Sequence, residues 1–147
     1  MKLRTMACVV ASVAALELSV VGPAHAQTEA YVALAFAPST SVTAFVAANS
    51  LDEAKSGAVF LCSQYGAGDC GVHVWAHNGW VAIAGDGSFQ PGTPSGPWGT
   101  GWGYSQQVAH DNAVTICQQN GGRTCADHGS QRTPAFDPNQ RTEGGGG

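Results

Sequence analysis

The chain has 147 residues, of which 44% are hydrophobic and 11% are charged, and its formal net charge at pH 7 is −4. This length allows one domain of ordinary size. The acidic balance disfavours binding to nucleic acid, and no basic amphipathic stretch suggests adsorption to an anionic membrane.

The first 26 residues have the pattern of a cleavable signal peptide. Lys2 and Arg4 give a positive start, residues 7–21 are mostly apolar, and small residues at 24–26 precede Gln27. The apolar run of about 15 residues is short for a membrane span, although a retained anchor is the alternative. Cleavage would leave 121 residues with four basic and nine acidic side chains, a net charge of −5, and we expect no membrane span in them. We therefore predict a secreted, periplasmic or cell-envelope protein.

The remaining chain contains two copies of one pattern, 55 residues apart. Residues 50–70 reappear as residues 105–125, each with a serine, a cysteine twelve residues later and a second cysteine eight residues after that. Upstream, residues 31–35 match residues 80–84 at an offset of 49, so the second copy carries six extra residues before its helix. Such a duplication predicts two similar structural units.

The first copy has clear strand and helix signals. Residues 31–37 and 42–48 are predicted strands joined by a Pro-Ser-Thr turn. Ser50 and Glu53 form a capping box that begins a helix. After the helix, the alternating sequence of residues 72–77 predicts a third strand.

The second copy repeats these elements with weaker signals. Residues 80–84 are its first strand, and residues 100–104 are a candidate second strand despite their glycines. Ser105 caps the second helix. Residues 131–147 have few large apolar side chains and end in four glycines, so we predict a flexible, Gly-rich tail with no fixed structure.

Cysteine usage agrees with export. Removal of the signal would leave an even number of cysteines, namely Cys62, Cys70, Cys117 and Cys125. Four cysteines in an oxidising compartment indicate disulfides, with three possible pairings. The repeat favours Cys62–Cys70 and Cys117–Cys125, because each copy then closes its own loop. Zinc is the competing use, but zinc ligand pairs usually lie two to four residues apart and these lie eight apart.

These elements predict an α+β fold. We expect one duplicated domain over about residues 30–130, made of two tandem β-β-α-(β) repeats at about 30–78 and 79–130. The strands should form a largely antiparallel sheet with two helices on one face. The other face of the sheet would then be open, and binding should be sought there.

A recurring set of short segments characterises the second copy and is repeated from Tyr31 to Cys70. It consists of Val81-Ala82-Ile83-Ala84, Trp102-Gly103, Ala109 to Cys117, Gly121-Gly122 and Cys125. Over about residues 30–125, this pattern resembles a bacterial family known as domain of unknown function 4189. The likeness is to small exported members that are frequent in actinobacteria, mycobacteria included. It implies a fold and an export context, and it supplies no activity and no site residues.

Two segments depart from the family pattern. The first copy has Ala47-Ala48 in place of the Trp-Gly element. The strand expected after Cys125 is degraded at residues 127–130.

Rings and imidazoles are the best candidates for a binding site. Exposed rings on a rigid scaffold can stack on sugars or anchor a protein partner, and Trp98 lies in a Pro/Gly-rich stretch where burial is less expected. The predicted patch consists of His73, Trp75, His77, Trp98, Trp102, Tyr104 and His128.

No catalytic residue, metal site or cofactor is predicted. His73, Trp75 and His77 should share one face of their strand, where imidazoles four residues apart lie about 13 Å from each other, too far for one metal ion. A metal site would need His128, which stands at the repeat position of His73, or another chain. Bridged cysteines have no thiolate to act as a nucleophile.

The interpretation that follows is an exported, disulfide-stabilised domain without catalytic activity that binds a protein or a cell-envelope polymer. Two alternatives stay open. One is a cell-envelope hydrolase that uses His73 or His128, and the other is a secreted effector-like factor that acts on a host.

Overall fold

The computed structural model describes residues 30–87 and 89–147. The predicted signal peptide, residues 1–26, lies outside the described residues. Within them the elements in chain order are β1 (Tyr31–Ala37), β2 (Val42–Ala48), α1 (Leu51–Gln64), β3 (Gly71–His77), β4 (Trp80–Asp86), β5 (Trp98–Gly103), α2 (Gln106–Gln119), β6 (Cys125–Arg132) and β7 (Glu143–Gly146).

The strands form two antiparallel sheets, in the orders β2-β1-β3-β7 and β5-β4-β6. Each repeat places its first strand in the centre, its second strand on one side and its last strand on the other. The β1–β3 ladder shifts register between Leu34 and Ala35, and the β4–β6 ladder shifts between Ile83 and Ala84, which is the same repeat position. The α+β class, the two repeats and the antiparallel pairing are therefore confirmed.

The first sheet is covered on both sides. On one side, the alanines of β1 pack against the buried Ala54 and Ala58 of α1. On the other side, Val32 and Leu34 pack against Val81 of β4 in the second sheet. Alternate residues of one strand thus serve two different layers, since successive side chains point to opposite faces.

The second sheet is covered in the same way. Ala82 and Ala84 of β4 pack against Ala109 and Ala113 of α2, on the side away from the first sheet. The order of layers is helix, sheet, sheet, helix. The prediction of one sheet with both helices on the same face was wrong in this respect, because β1 and β4 are buried on both faces. The binding face that an open sheet would have offered is occupied by the other sheet.

Both predicted disulfides are present. Cys62 bonds Cys70 and Cys117 bonds Cys125, with Cα–Cα distances of 5.9 and 6.1 Å. Cys62 and Cys117 lie in the last turns of the two helices. Cys70 directly precedes β3 and Cys125 is the first residue of β6, so each bridge joins the end of a helix to the last strand of its repeat. Disulfides of this kind form and persist in oxidising compartments. None of the helices in the described part of the chain is long and apolar enough to cross a bilayer.

Residues 131–147 were predicted to lack fixed structure, but they take part in the fold. β6 continues to Arg132 and pairs with β4 through the segment 127–130 that the family comparison marked as degraded. β7 pairs with β3 at the far edge of the first sheet. Both strands are held by main-chain pairing and bury few apolar side chains, so hydrophobic patterning does not reveal them.

Candidate functional site

His73 and His128 each occupy a bulge. The register of β3 passes from Val74 to Val72 against β1, so His73 is the extra residue. The register of β6 passes from Gly129 to Asp127 against β4, so His128 is the extra residue of the second repeat. A bulge adds one residue to a strand and re-aims its side chain.

The bulge separates the residues that were expected to share one face of β3. His73 contacts Phe36 and Trp98 in the space between the sheets. Trp75 instead packs on the α1 side of the first sheet, where the Lys55 ammonium lies 5.8 Å from its ring centroid. The prediction of one common face was wrong, because strict alternation fails at a bulge.

The remaining residues of the predicted patch have different surroundings. The His77 ring lies 4.7 Å from the Tyr31 ring. Trp102 packs at the border of the core between the sheets. Tyr104 is 66% exposed just before α2. The seven residues thus lie on several parts of the surface and the core border, and their role in binding stays a prediction.

The two histidines end a row of five stacked or edge-on rings between the sheets. Ring centroids are 4.6 Å apart for His73–Trp98, 4.9 Å for Trp98–Phe36, 5.0 Å for Phe36–Phe89 and 4.0 Å for Phe89–His128. Trp98, which we expected to be less buried, is packed inside this row. At least two rings, those of Phe36 and Phe89, separate the imidazoles, so His73 and His128 cannot hold one metal ion or pass a proton directly between them.

The surroundings of His73 favour the neutral form of its imidazole. Burial lowers the pKa of its imidazole, and a hydrogen bond to the main chain of Phe36 and the charge of Asp69 offset only part of this effect. Its Nε2 atom is buried and has no hydrogen-bond partner. An uncharged ring is the form that tolerates this apolar position.

His128 fastens the loop that carries the six extra residues of the second repeat. Its Nε2 donates a hydrogen bond to the Gly87 carbonyl at 2.8 Å, and its ring stacks on Phe89 with planes 14° apart. The imidazole therefore joins β6 to the start of this loop.

A groove of about 600 Å³ opens at the His128 end of the row of rings. It lies between the β1–β2 turn, the end of α1, the loop around residues 89–92 and β6. Its lining residues, here called the hydroxyl–aromatic groove, are Thr40, Ser41, Val42, Thr43, Tyr65, Gly66, Phe89, Pro91, Gly92 and His128.

Local hydrogen bonds hold the walls of the groove together. Ser41 is buried with a left-handed φ of 53°, and its hydroxyl donates to the Thr93 carbonyl at 2.8 Å. The Gly92 amide donates to the Thr40 carbonyl at 2.9 Å. The turn and the loop are thus bonded to each other, while the Thr40 hydroxyl oxygen is buried without a partner.

The groove is lined by no carboxylate, lysine or arginine side chain. In the turn beside it, Asp69 accepts hydrogen bonds from the hydroxyl and amide of Ser39, which lower the pKa of this carboxyl group. The exposed ring of Tyr65 and the side chain of Thr43 are what the lining offers to a ligand.

A second groove, of about 410 Å³, lies at the His73 end of the row. Like the first, it combines a helix and a strand of one repeat with the bulge histidine of the other. Asn112 of α2 and Thr100 of β5 line it, and Gly146 of β7 borders it. The duplication has therefore produced two grooves with different walls.

The ends of the two helices differ in chemistry. Asn120 ends α2, and its Nδ2 donates to the Trp98 carbonyl at 2.8 Å. The equivalent residue of α1 is Tyr65, which is 68% exposed. Phe60 is likewise exposed where the second repeat has Thr115.

Sequence reasoning missed most of the hydroxyl–aromatic groove. A signal for Tyr65 was available, because the second repeat folds with Asn120 at the same position. Phe89 lies near the inserted segment, where the repeat offers no counterpart. Thr40 and Ser41 had no signal beyond their place in a turn.

Within residues 30–87 and 89–147, no group of three or more His, Cys, Asp or Glu side chains is placed to hold a metal ion. The chemistry that the grooves offer comes from imidazole, hydroxyl, amide and aromatic groups.

Comparison with known proteins gives the family. The model of the domain of unknown function DUF4189 matches residues 31–131. The chain belongs to this family. Searches of curated proteins and of solved structures found no match. The DUF4189 region covers both repeats, both disulfides and every lining residue of the hydroxyl–aromatic groove.

Proposed function

We propose that this DUF4189 protein is an exported, non-catalytic binding module of the cell envelope, and that it binds a neutral, hydroxyl-rich polymer in the hydroxyl–aromatic groove. The observation that carries the proposal is the lining of that groove. Tyr65 offers an exposed ring, Phe89 offers a ring edge because its faces stack on Phe36 and His128, and Thr43 offers a hydroxyl. No lining side chain is a carboxylate, a lysine or an arginine.

Neutral sugar polymers match this lining. Their hydroxyl groups exchange hydrogen bonds with serine and threonine, and their C–H faces pack on aromatic rings. A polyanion or polycation would find no opposite charge in the groove, so its desolvation would go uncompensated.

The difference between the repeats supports a role for Tyr65 outside folding. Asn120 shows that a polar residue suffices to end the helix in this fold, where it also fastens the helix to β5. An exposed tyrosine at the equivalent place has lost that bond and leaves a ring facing solvent. Exposed rings beside a groove are typical of binding surfaces.

The hydrolase alternative is less well supported. His128 commits Nε2 to the Gly87 carbonyl, and His73 lies at the other end of the row of rings. No serine, threonine or carboxylate is hydrogen-bonded to either imidazole in the described part of the chain, as a nucleophile or orienting group would be.

The test measures binding of purified neutral oligosaccharides, such as linear fragments of glucan, mannan, galactan and arabinan, by calorimetry. We expect one of them to bind the wild-type chain, and Tyr65→Ala and Phe89→Ala to weaken that binding by about tenfold or more. Tyr104→Ala is the matched control, because Tyr104 is equally exposed but lies outside the groove.

Three results would contradict the proposal. One is an equal loss of binding in Tyr104→Ala and Tyr65→Ala. The other is cleavage of an oligosaccharide that disappears in a His73→Gln, His128→Gln double variant, which would establish the hydrolase instead. Failure of all neutral oligosaccharides to bind would remove the ligand class.

A further inference from the structure

The edge of β3 carries a strand that the repeat itself does not need. β7 pairs antiparallel with β3, with Ala76 opposite Gly144, Trp75 opposite Gly145 and Val74 opposite Gly146. In the second repeat, β6 takes the place of β3, and in the described residues no fourth strand pairs with it. The unit therefore folds with three strands, and β7 is an addition to it.

This edge accepts glycine selectively. A Cβ atom at Gly144 would overlap the Trp102 indole and would lie 2.7 Å from the Trp75 carbonyl oxygen. A Cβ at Gly145 would press on the Trp75 indole, with Nε1 at 3.3 Å. At Gly146 the space is open, since the closest atom to a Cβ would be the His73 carbonyl oxygen at 3.9 Å. Two indoles thus line the path of the strand, and they leave space for a bare backbone.

The chain before β7 is anchored independently. Asn78 Nδ2 donates to the carbonyls of Asp137 and Gln140, and its Oδ1 accepts from the Asp137 amide. Thr142 donates its hydroxyl to the Asn78 carbonyl at 2.8 Å. Only residues 143–147 depend on the β3 edge, and they bury no large side chain. An element of this kind has a low free energy of local unfolding.

We infer that the β3 edge between Trp75 and Trp102 is a binding site for an extended oligoglycine strand, and that a glycine-rich segment of another polypeptide binds there by displacing β7. Main-chain pairing at a sheet edge supplies affinity, and exclusion of side chains supplies specificity. The Asn78 anchor holds the connector of β7 on its own chain as far as Thr142, which leaves only residues 143–147 to extend toward a second copy, so the partner that we infer is a different polypeptide. This site is separate from the hydroxyl–aromatic groove and does not depend on its function.

The experiment compares full-length Gly144→Ala with full-length Gly146→Ala. The first substitution should expel β7 through contact with Trp102, and the second should leave β7 in place. The probe is the synthetic peptide Glu-Gly-Gly-Gly-Gly, with binding followed by tryptophan fluorescence and by amide exchange of residues 74–77. Because the site is vacant in Gly144→Ala, we expect this variant to bind the peptide about tenfold more tightly than the wild type or Gly146→Ala.

A peptide with alanine at the position of Gly144 tests selectivity and should not bind. The inference is overturned if Gly144→Ala does not bind the glycine peptide, or if it binds the alanine peptide equally well. It is also overturned if β7 stays protected from exchange in Gly144→Ala, or if this variant forms a concentration-dependent dimer that excludes the peptide. The three-stranded second repeat gives reason to expect that the variant folds, and far-ultraviolet circular dichroism checks this.

Discussion

His73 and His128 occupy the same bulge in the two repeats, and each points its imidazole into the space between the sheets. Their surroundings have nevertheless diverged. His73 is held by the main chain of Phe36 and lies edge-on to Trp98, whereas His128 stacks on Phe89 and bonds the Gly87 carbonyl. The bulge is common to both repeats, and the use of its side chain is specific to each.

The titration of His73 should make stability depend on pH. Burial lowers the pKa of His73 below its ordinary value of 6.5, so the unfolded chain binds the proton more readily than the folded chain. The free energy of unfolding should therefore decrease as the pH falls below about 6.5 and level off once the folded form is also protonated. Urea unfolding at a series of pH values measures this slope. His73→Phe, which keeps a ring between Phe36 and Trp98, should flatten it, and an unchanged slope would contradict the assignment.

The two repeats fill the space between helix and strand in opposite ways. In the first repeat Val46 of β2 packs over Gly57 of α1, and in the second repeat Gly101 of β5 lies under Asn112 of α2. A Cβ at Gly101 would meet main-chain atoms of α2, which cannot move without shifting the helix. We expect Gly101→Val to destabilise the protein by about 3 kcal/mol in urea unfolding.

Gly68 provides the matched control for this substitution. No atom lies within 4 Å of the place where its Cβ would be. Gly68→Ala should therefore change the free energy of unfolding by less than about 0.5 kcal/mol. Equal effects at Gly101 and Gly68 would mean that helix–strand approach does not determine stability here.

Asn78 should control the order of the last fifteen residues. It is buried, has a φ of 48°, and makes three hydrogen bonds to the main chain of Asp137 and Gln140 through its amide. Asn78→Gly keeps the left-handed backbone accessible but removes the bonds, with an expected loss of about 2–3 kcal/mol. Asn78→Ala should cost about 1 kcal/mol more, because alanine also disfavours this conformation.

Amide exchange tests whether the hydrogen bonds of Asn78 hold the C-terminal segment. We expect faster exchange in residues 133–147 for both variants, with β4 and β5 protected as in the wild type. Wild-type protection of residues 133–147 in Asn78→Gly would show that the segment is held by other contacts.

The disulfides should be quantitatively formed and should contribute to stability. Reduction of the two bridges should add four hydrogens to the intact mass, and iodoacetamide should not label Cys62, Cys70, Cys117 or Cys125 before reduction. Each bridge closes a short loop, so replacing either pair with alanine should lower the free energy of unfolding by about 2–3 kcal/mol. A labelled thiol among these four in the exported protein would contradict the pairing.

The sequence predicted the parts of this fold that depend on local signals. The capping serines, the cysteine spacing and the duplication led to the helices, the disulfides and the repeated strand order. The stacking of two sheets was not predicted, although the unbroken apolar run of β1 from Val32 to Ala37 is typical of a strand buried on both faces. The bulges were not predicted either, because a single extra residue leaves no mark in an alternating pattern.

The candidate site was harder to predict than the fold. We selected the ring patch by residue type. The bulge at His73 places Trp75 on the face of the first sheet opposite to His73. The groove combines a turn, a helix end and a loop that are distant in sequence. Its members come together through hydrogen bonds from the β1–β2 turn to residues near Gly92 and through the contacts of His128 with Gly87 and Phe89.

The stacking of one repeat on the other limits how such a protein can arise. A lone copy would leave Val32, Leu34 and Phe36 uncovered, so a shorter ancestor could persist in water only as a pair of identical chains. Once the two copies were fused in one chain, their sequences could change independently of each other. One copy could then acquire an aromatic helix end while its twin kept a polar one, an asymmetry that a symmetric homodimer cannot evolve.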